Sequence, residues 1–334
     1  MSTGRVRGVI PLAERYRDRL PFTDATPVVS LGEGSTPLLP APRLSEQLGL
    51  ELWLKWEGAN PTGSFKDRGM TVAVSKAVEE GAGAVVCAST GNTAASAAAY
   101  AARAGITAVI LQPAGAVARG KIAQAQVVGA RLLEVQGPFE AALEAARELG
   151  RRGTHALVNS LNPYRLEGQK TAAFEIAEEL GSPPDVLALP YGGGGNTVAY
   201  ALGFREAGEG VPRLLLGEAA DRSGTAASAI RIGTPVHADR VEQALADSGG
   251  TAVELQDAEI LGVWRLLATE EGLFCEPSSA AGVAALLRER PPAGSRVVCV
   301  LTGHGLKDPE AVDRAAEAPV RVDADPDAIA EAAG

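Results

Sequence analysis

The sequence lacks the features that direct a protein to a membrane or to nucleic acid. No stretch reaches about 18 uncharged apolar residues, and residues 1–20 contain neither a continuous apolar core nor a small-residue cleavage pattern. There is no uninterrupted run of basic residues, and the net charge is −10. We therefore expect a cytoplasmic protein that acts on a small molecule, with no nucleic-acid or membrane partner.

Cysteine and histidine are also scarce. Three cysteines (Cys87, Cys275, Cys299) and three histidines are scattered without metal-ligand spacing, so we expect no metal site. Each cysteine has apolar neighbours, which predicts buried thiols in a reducing compartment. Hydrophobic residues make up 46% of the 334 residues, enough for packed cores in two domains.

From about residue 82 onward, short β-branched runs alternate with Ala-rich helical runs. This alternation is typical of βαβ units, so the sequence predicts an α/β fold with open parallel sheets. The predicted strands are residues 84–88, 108–111, 132–135, 155–158, 186–189, 214–216 and 297–301. Helices are predicted to begin near residues 92, 117, 139, 166 and 197. Residues 218–250 have the least regular pattern.

One lysine stands where a covalent cofactor would need an amine. A strand-like run at residues 52–56 and a turn at residues 60–63 precede the string GSFKDRG, which opens a helical segment reaching about residue 80. Lys66 thus lies in the first helical turn, where unpaired N–H groups and the helix dipole favour the neutral amine. A neutral lysine can form a Schiff base, although a solvated surface lysine fits this stretch equally well.

A run of four glycines joins a predicted strand to a predicted helix. Gly192, Gly193, Gly194 and Gly195 precede Asn196, and their backbone N–H groups can crowd against an anion at the start of the helix. This arrangement can hold a phosphate without lysine or arginine. The alternative is a flexible turn or linker.

Two further junctions carry groups that can receive anions. Ser89, Thr90, Asn92 and Thr93 could receive a carboxylate or a phenolate oxygen, although the same residues favour an ordinary capped helix start.

The second junction contains Asn159, Ser160 and Arg165, which combine a charged fork with neutral donors suited to a second phosphate. A solvated arginine near a helix cap is the alternative.

Thr302 ends an apolar strand and is followed by the turn GHG. The carboxyl end of a strand is where α/β sheets bind ligands, and a hydroxyl there can bond a neutral ring nitrogen. A hydroxyl satisfied by the turn backbone is the alternative reading.

Together the strings GSFKDRG, STGNT, GGGGN, NSLNPYRLEGQKT and TGHGLKD resemble the threonine synthase family. These enzymes depend on pyridoxal 5′-phosphate (PLP) and have the tryptophan synthase β-like fold, called fold type II. The resemblance runs in order from about Pro11 to Asp308. It implies a larger PLP-binding domain (residues 1–80 and 161–334), a smaller α/β domain (residues 81–160), the cofactor in the cleft between them, and a homodimer.

The resemblance also implies a role for each motif residue. Lys66 would form the Schiff base with PLP, Asn92 would bond the 3′-oxygen, and Thr302 would face the pyridine nitrogen. The cofactor phosphate would be held by Gly192, Gly193, Gly194, Gly195 and Asn196. The substrate carboxylate would be held by Ser89, Thr90 and Thr93, and the substrate phosphate by Asn159, Ser160 and Arg165.

The implied reaction converts O-phospho-L-homoserine and water to L-threonine and phosphate. A threonine or serine dehydratase, or another β- or γ-replacement enzyme, is the alternative, and Arg165 discriminates because a dehydratase has no substrate phosphate to bind. A non-catalytic protein of this fold would be favoured only without Lys66. The chain departs from the family pattern at Gly193 and Gly194, where Asn and Ala are usual, and in a shorter stretch at residues 208–225.

Overall fold

The computed structural model describes residues 10–115, 119–208, 210–315 and 318–333. Within these ranges the chain forms two β-sheets with helices packed on them. The strands are β1 (Leu38–Pro40), β2 (Glu51–Trp56), β3 (Ala84–Ala88), β4 (Thr107–Pro113), β5 (Arg131–Val135), β6 (Ala156–Leu157), β7 (Val186–Pro190), β8 (Arg213–Ala219), β9 (Thr251–Leu255) and β10 (Arg296–Leu301).

The α-helices are α1 (Leu12–Arg15), α2 (Pro42–Leu48), α3 (Lys66–Glu79), α4 (Asn92–Ala104), α5 (Arg119–Val127), α6 (Phe139–Arg151), α7 (Pro163–Leu180), α8 (Gly195–Ala207), α9 (Ala238–Ser248), α10 (Asp257–Glu271), α11 (Ala281–Arg288), α12 (Pro309–Ala315) and α13 (Pro326–Ala333). Short 3₁₀ turns occur at Arg17–Arg19, Glu57–Ala59, Ser228–Ile230, Pro277–Ala280 and Gly305–Lys307. None of the helices in the described ranges is long and apolar enough to cross a membrane.

The six-stranded sheet has the order β1-β2-β10-β7-β8-β9, and all its strand pairs are parallel except β1 with β2. The four-stranded sheet has the order β5-β4-β3-β6 and is parallel throughout. The predicted α/β fold with parallel sheets is therefore confirmed. The four strands of the smaller sheet are consecutive in the sequence, from β3 to β6. The strands of the larger sheet come from the chain before β3 and after β6. The domain boundaries stay a prediction.

All seven predicted strands occur. Five are longer than predicted, because backbone pairing continues past the residues that signalled them, whereas β3 has the predicted bounds and β6 is two residues shorter than the predicted 155–158. The least regular stretch, residues 218–250, contains α9, which was not predicted. The helix start predicted near Val117 lies outside the described residues, and the helix there is described from Arg119. The predicted helix at residue 166 begins three residues earlier, at Pro163, whose fixed φ suits a first helical position.

Helices α3 and α7 cross with their backbones in contact. A Cβ on Gly168 would overlap the carbonyl group of Arg68, and a Cβ on Gly69 would lie 2.6 Å from the carbonyl oxygen of Arg165. Only glycine permits so close an approach. Because both glycines lie within the first two turns of their helices, the crossing brings the N-terminal ends of the two helices together, and with them Lys66 and Arg165.

Candidate active site

Lys66 is the first residue of α3 and is half-buried, with its Nζ atom 4.1 Å from the centroid of the Phe65 ring. Its surroundings lower the pKa of the amine to about 7. Burial is the largest cause, the Arg165 guanidinium adds to it, and the Glu276 carboxylate opposes both. Near neutral pH a large share of the Lys66 amine is therefore unprotonated, as a nucleophile requires.

The next residue, Asp67, fixes the start of α3 in place. Its carboxylate accepts hydrogen bonds from Thr62 N at 2.7 Å, from Thr62 Oγ1 at 2.6 Å and from Ser96 Oγ at 2.6 Å. Burial raises the pKa of Asp67 to about 6, although these donors act in the opposite direction. Since Ser96 belongs to α4, Asp67 ties the lysine-bearing turn to the helix that begins at Asn92.

The four glycines form the turn between β7 and α8. Gly194 has φ +84° and caps the helix, and a Cβ there would lie 2.7 Å from Val241 Cγ2. The turn therefore brings bare backbone to the start of α8, which is the geometry predicted for a phosphate site. Asn196 Nδ2 is buried there without a hydrogen-bond partner.

The junction between β3 and α4 holds the second set of predicted residues. Asn92 is buried and its Nδ2 atom donates to the Glu276 carboxylate oxygens at 3.0 and 3.2 Å, while its Oδ1 atom has no partner. Ser89 Oγ accepts the N–H of Gly91 at 3.1 Å. The remaining predicted residues, Thr90 and Thr93, are half-buried at the helix start.

Arg165 is 1% exposed, and its Nη1 atom donates to the carbonyl oxygen of Val158 at 2.9 Å. Its Nε atom is buried with no partner, and within the described part of the chain no carboxylate forms an ion pair with it. Burial lowers the pKa of Arg165 to about 10, so the group remains a cation at neutral pH. A buried cation left without a protein anion is suited to an anionic ligand.

The other two residues predicted beside Arg165 differ in their surroundings. Asn159 is engaged by the backbone of Ala88, with Nδ2 donating to the carbonyl oxygen at 2.9 Å and Oδ1 accepting the N–H at 3.0 Å. Ser160 is half-buried, and its carbonyl oxygen lies 3.0 Å from His237 Nε2. These contacts hold the loop in place, and direct substrate contact by Asn159 and Ser160 stays a prediction.

Thr302 is buried at the carboxyl end of β10, and its Oγ1 atom lies 3.0 Å from Ser279 Oγ. Ser279 Oγ also accepts the N–H of Gly303 at 3.0 Å. The carbonyl oxygen of Thr302 accepts the N–H of Phe65 at 3.1 Å, so this strand end adjoins the lysine-bearing turn.

Contacts made by residues in or beside the five predicted motifs connect all of them, although the motifs are far apart in the sequence. The linking contacts are Phe65 with Thr302, Gly69 with Arg165, Ala88 with Asn159, Asp67 with Ser96, and His237 with both Ser160 and Gly193.

These residues fit PLP. The buried but unpartnered Asn92 Oδ1, Arg165 Nε and Asn196 Nδ2 atoms belong to three of the motifs, which is expected where a ligand supplies the missing partners. The glycine turn offers backbone N–H groups to a phosphate, and Lys66 offers a nearly neutral amine. Among the described residues no group of His, Cys, Asp and Glu side chains could hold a metal ion.

Three residues of the site were missed at the sequence level. Glu276 and Ser279 occur in the string CEPSSAA, where the only signal was an acidic residue between Cys275 and proline in an otherwise apolar stretch. His237 lies in the stretch with the least regular pattern. All three make contacts with distant parts of the chain that no local pattern encodes.

Comparison with known proteins decides the family. Residues 29–303 match the family described as pyridoxal-phosphate dependent enzyme. The threonine synthase of Synechocystis sp. is 51% identical over 92% of this chain and 85% of that protein. The threonine synthase of Halalkalibacterium halodurans is 48% identical over 89% of this chain and 90% of that protein. The chain belongs to the threonine synthase family of PLP-dependent lyases.

Solved structures support the same fold for this threonine synthase family member. Maize serine racemase matches with a TM-score of 0.72 at 22% identity, covering 81% of this chain and 88% of that one. The processed threonine deaminase isoform 2 of Solanum lycopersicum matches with a TM-score of 0.73 at 22% identity, covering 84% of this chain and 83% of that one. At this identity the two structures show the shared fold, fold type II, and the curated relatives carry the argument for function.

Proposed function

We propose that this chain converts O-phospho-L-homoserine and water to L-threonine and phosphate with PLP as its cofactor. The observation that carries the proposal is Arg165, a buried cation beside Lys66 without a carboxylate partner among the described residues. An enzyme acting on an uncharged side chain, such as threonine, would have no use for this second anion site. The proposal also agrees with the names of the curated relatives.

The residues proposed to hold the cofactor come from three motifs that the contacts above connect to the lysine-bearing turn. Gly192, Gly193, Gly194, Gly195 and Asn196 would bind its phosphate at the N-terminus of α8, where backbone donors and the helix dipole favour an anion.

Asn92 would bond the 3′-oxygen, and Thr302 the pyridine nitrogen. A hydroxyl at that nitrogen, unlike a carboxylate, does not hold it protonated. When bound, PLP supplies an electrophilic carbonyl group and an electron sink for charge at the substrate Cα.

The substrate would be held at its two ends. Ser89, Thr90 and Thr93 would receive its carboxylate at the start of α4, where unpaired backbone N–H groups add to their hydroxyls. Arg165, with Asn159 and Ser160, would bind its phosphate. Fixing both ends restricts the substrate to one orientation relative to Lys66.

Lys66 would act as the acid and base of the reaction. Its neutral amine would take the proton from the substrate Cα, move one proton from Cβ to Cγ as the phosphate leaves, and return a proton to Cα after water has added at Cβ. A pKa of about 7 leaves both protonation states populated at neutral pH. Arg165 would stabilise the phosphate as it leaves Cγ, and water would then add at Cβ.

The test is to incubate the PLP-loaded protein with O-phospho-L-homoserine and to follow phosphate and amino-acid products together. We expect phosphate and threonine in equal amounts. Phosphate without threonine would point to an altered replacement reaction, and no phosphate would reject the substrate. As a parallel assay, 2-oxobutanoate formed rapidly from threonine would favour the dehydratase alternative.

We further propose that the enzyme works as a homodimer in the cytoplasm. All three cysteines are free and buried, which supports a reducing compartment. The dimer rests on the family resemblance. Sedimentation analysis of the purified protein would test it, with a single species of monomer mass contradicting it.

A further inference from the structure

The segment between α10 and α11 contacts the turn that follows Thr302 at the end of β10. Cys275 forms a β-bridge with His304, Glu276 N donates to the carbonyl oxygen of Gly303 at 2.9 Å, and Pro277–Ala280 forms a 3₁₀ turn. Every residue from 275 to 280 is buried. No motif assigned above includes this segment, yet its side chains contact two proposed cofactor ligands, Asn92 and Thr302.

Glu276 controls the orientation of the Asn92 side chain. An ionised carboxylate only accepts hydrogen bonds, so the amide nitrogen of Asn92 must face it, as the distances of 3.0 and 3.2 Å record. The amide oxygen of Asn92 then faces away from Glu276, buried and without a partner. The Asn92 amide therefore has one orientation instead of two interchangeable ones. In that orientation its second Nδ2 hydrogen and its Oδ1 atom are available to a ligand.

Glu276 also acts on Lys66 through its charge. The charged groups that act on the pKa of the Lys66 amine are Arg165 from α7 and Glu276 from this segment. Glu276 N binds the carbonyl oxygen of Gly303, and Gly303 forms a β-bridge with Ser64, two residues before Lys66. Arg165 and burial lower the pKa of the amine and Glu276 raises it, which leaves the value at about 7. Without the carboxylate, the two lowering effects would act unopposed.

We propose that Glu276 is a positioning residue for the reaction, which fixes the Asn92 amide toward the cofactor and supplies the negative charge that acts on the Lys66 amine. The inference rests on the proposed function for the identity of the cofactor contacts. The two roles are separable, because one depends on the reach of the side chain and the other on its charge.

Two substitutions separate these roles. Glu276→Gln keeps an oxygen that can accept from Asn92 but removes the charge. Glu276→Asp keeps the charge but is one methylene too short to reach Asn92 without a backbone shift. Glu46→Gln, on the exposed face of α2, makes the same change of net charge away from the site and serves as the control.

The first readout uses cofactor-free protein. Competitive acetylation across a pH series, followed by mass spectrometry of the Lys66 peptide, gives the midpoint at which the amine becomes reactive. We expect the midpoint of Glu276→Gln to move to lower pH, while Glu276→Asp and Glu46→Gln keep the wild-type midpoint. An unchanged midpoint in Glu276→Gln would overturn the role of the charge.

The second readout is the dissociation constant for PLP, measured by fluorescence titration. Glu276→Asp should weaken binding about tenfold, the effect of losing roughly one hydrogen bond to a charged group. Glu276→Gln tests only the role of the charge, because its amide can donate as well as accept and so does not fix one orientation of Asn92. In an Asn92→Ala background Glu276→Asp should have no further effect, because its action passes through Asn92. An equal loss in both backgrounds would overturn the positioning role.

Two checks keep the result interpretable. Circular dichroism and thermal unfolding show whether each variant is folded. If Glu276→Gln fails to fold, the Asn92→Ala cycle with Glu276→Asp still decides the positioning role. Failure to make threonine while both readouts change as expected would reject the proposed reaction and leave the inference about Glu276 standing.

Discussion

At the scale of single residues, the lowered pKa of Lys66 predicts how cofactor uptake should depend on pH. A lysine with its ordinary pKa of 10.5 is neutral in only about three molecules in ten thousand at pH 7, whereas Lys66 is neutral in about half of them. We expect the rate at which cofactor-free protein takes up PLP to fall about tenfold per pH unit below 7 and to level off above it. Stopped-flow absorbance measures this rate.

The variants Lys66→Arg and Lys76→Arg make a matched pair on the same helix. Arginine remains protonated throughout this pH range, so Lys66→Arg should show no covalent uptake. Lys76→Arg, which keeps its ion pair with Glu79, should match the wild type. A rate that continued to rise tenfold per unit up to pH 10 would show that the pKa of Lys66 is not lowered.

Arg165 is proposed to bind the substrate phosphate. Arg165→Lys keeps a positive charge but loses the planar fork, so at least one charge-assisted hydrogen bond, about 1.5–3 kcal/mol, should be lost. We expect kcat/KM for O-phospho-L-homoserine to fall between about 10- and 150-fold while the absorbance spectrum of bound PLP stays unchanged. Arg151→Lys, at an exposed position on α6, is the control. If Arg165→Lys altered the absorbance spectrum of bound PLP as strongly as it altered turnover, the assignment of Arg165 to the substrate phosphate would be contradicted.

At the scale of helices, the crossing of α3 with α7 determines the separation of the two key side chains. Gly168→Ala would drive a methyl group into the carbonyl group of Arg68, which neither backbone can avoid without moving. We expect this variant to lose about 2 kcal/mol or more of unfolding free energy and to lose turnover, because Lys66 and Arg165 move apart. Urea unfolding and the phosphate-release assay measure the two effects.

Gly262→Ala in α10 is the matched control for this change. Nothing lies within 4 Å of the position that its Cβ would occupy, and the residue is exposed on the helix. Alanine there should raise the unfolding free energy by about 0.5–1 kcal/mol, since glycine is the poorer helix former. If both variants behaved alike, close packing at Gly168 would not be the reason for the glycine.

At the scale of the whole molecule, a buried ion network joins the larger sheet to the helices beneath the site. Glu175 from α7 accepts from Lys55 Nζ at 2.8 Å and from Arg68 Nη2 at 2.6 Å, and Arg68 also binds Glu57 at 2.7 Å. Burial alone would raise the pKa of Glu175, but Arg68 and Lys55 outweigh it and hold the pKa well below its ordinary value.

A carboxylate with a lowered pKa in the folded state contributes stability above its unfolded pKa, and that stability is lost as the pH falls. We expect Glu175→Gln to cost about 3–5 kcal/mol of unfolding free energy at pH 7, because two cations lose their partner. The difference in unfolding free energy between the wild type and Glu175→Gln should narrow by up to about 1.4 kcal/mol per pH unit below pH 4. Urea unfolding at several pH values measures this difference. Glu270→Gln, which removes a carboxylate from an ion pair at the surface, is the control. A difference that does not change with pH would contradict a role for the Glu175 charge in the network.

The sequence predicted those parts of the molecule that depend on local pattern. Alternating runs predicted the strands of both sheets and most of the helices between them. Glycine or hydroxyl residues at the junctions suggested ligand sites, and that part stays a prediction. Contacts between distant residues were out of reach, because the pairing of Asn92 with Glu276 and of Gly69 with Arg165 follows from how the helices cross. The roles of the motif residues came from resemblance to a family, since each motif alone also fitted an ordinary cap or turn.

The main-chain contact between α3 and α7 has one more consequence, for the length of the substrate. The distance from Lys66 to Arg165 is set by two backbones that touch, not by adjustable side chains. If Arg165 binds the substrate phosphate as proposed, this crossing fixes the span between the reacting carbons and the phosphate. Phosphoserine, one methylene shorter than phosphohomoserine, should fail to reach both ends. Sliding either helix by one residue changes its position along its axis by about 1.5 Å, so a relative adapted to a different length should differ in which small residues meet at the crossing.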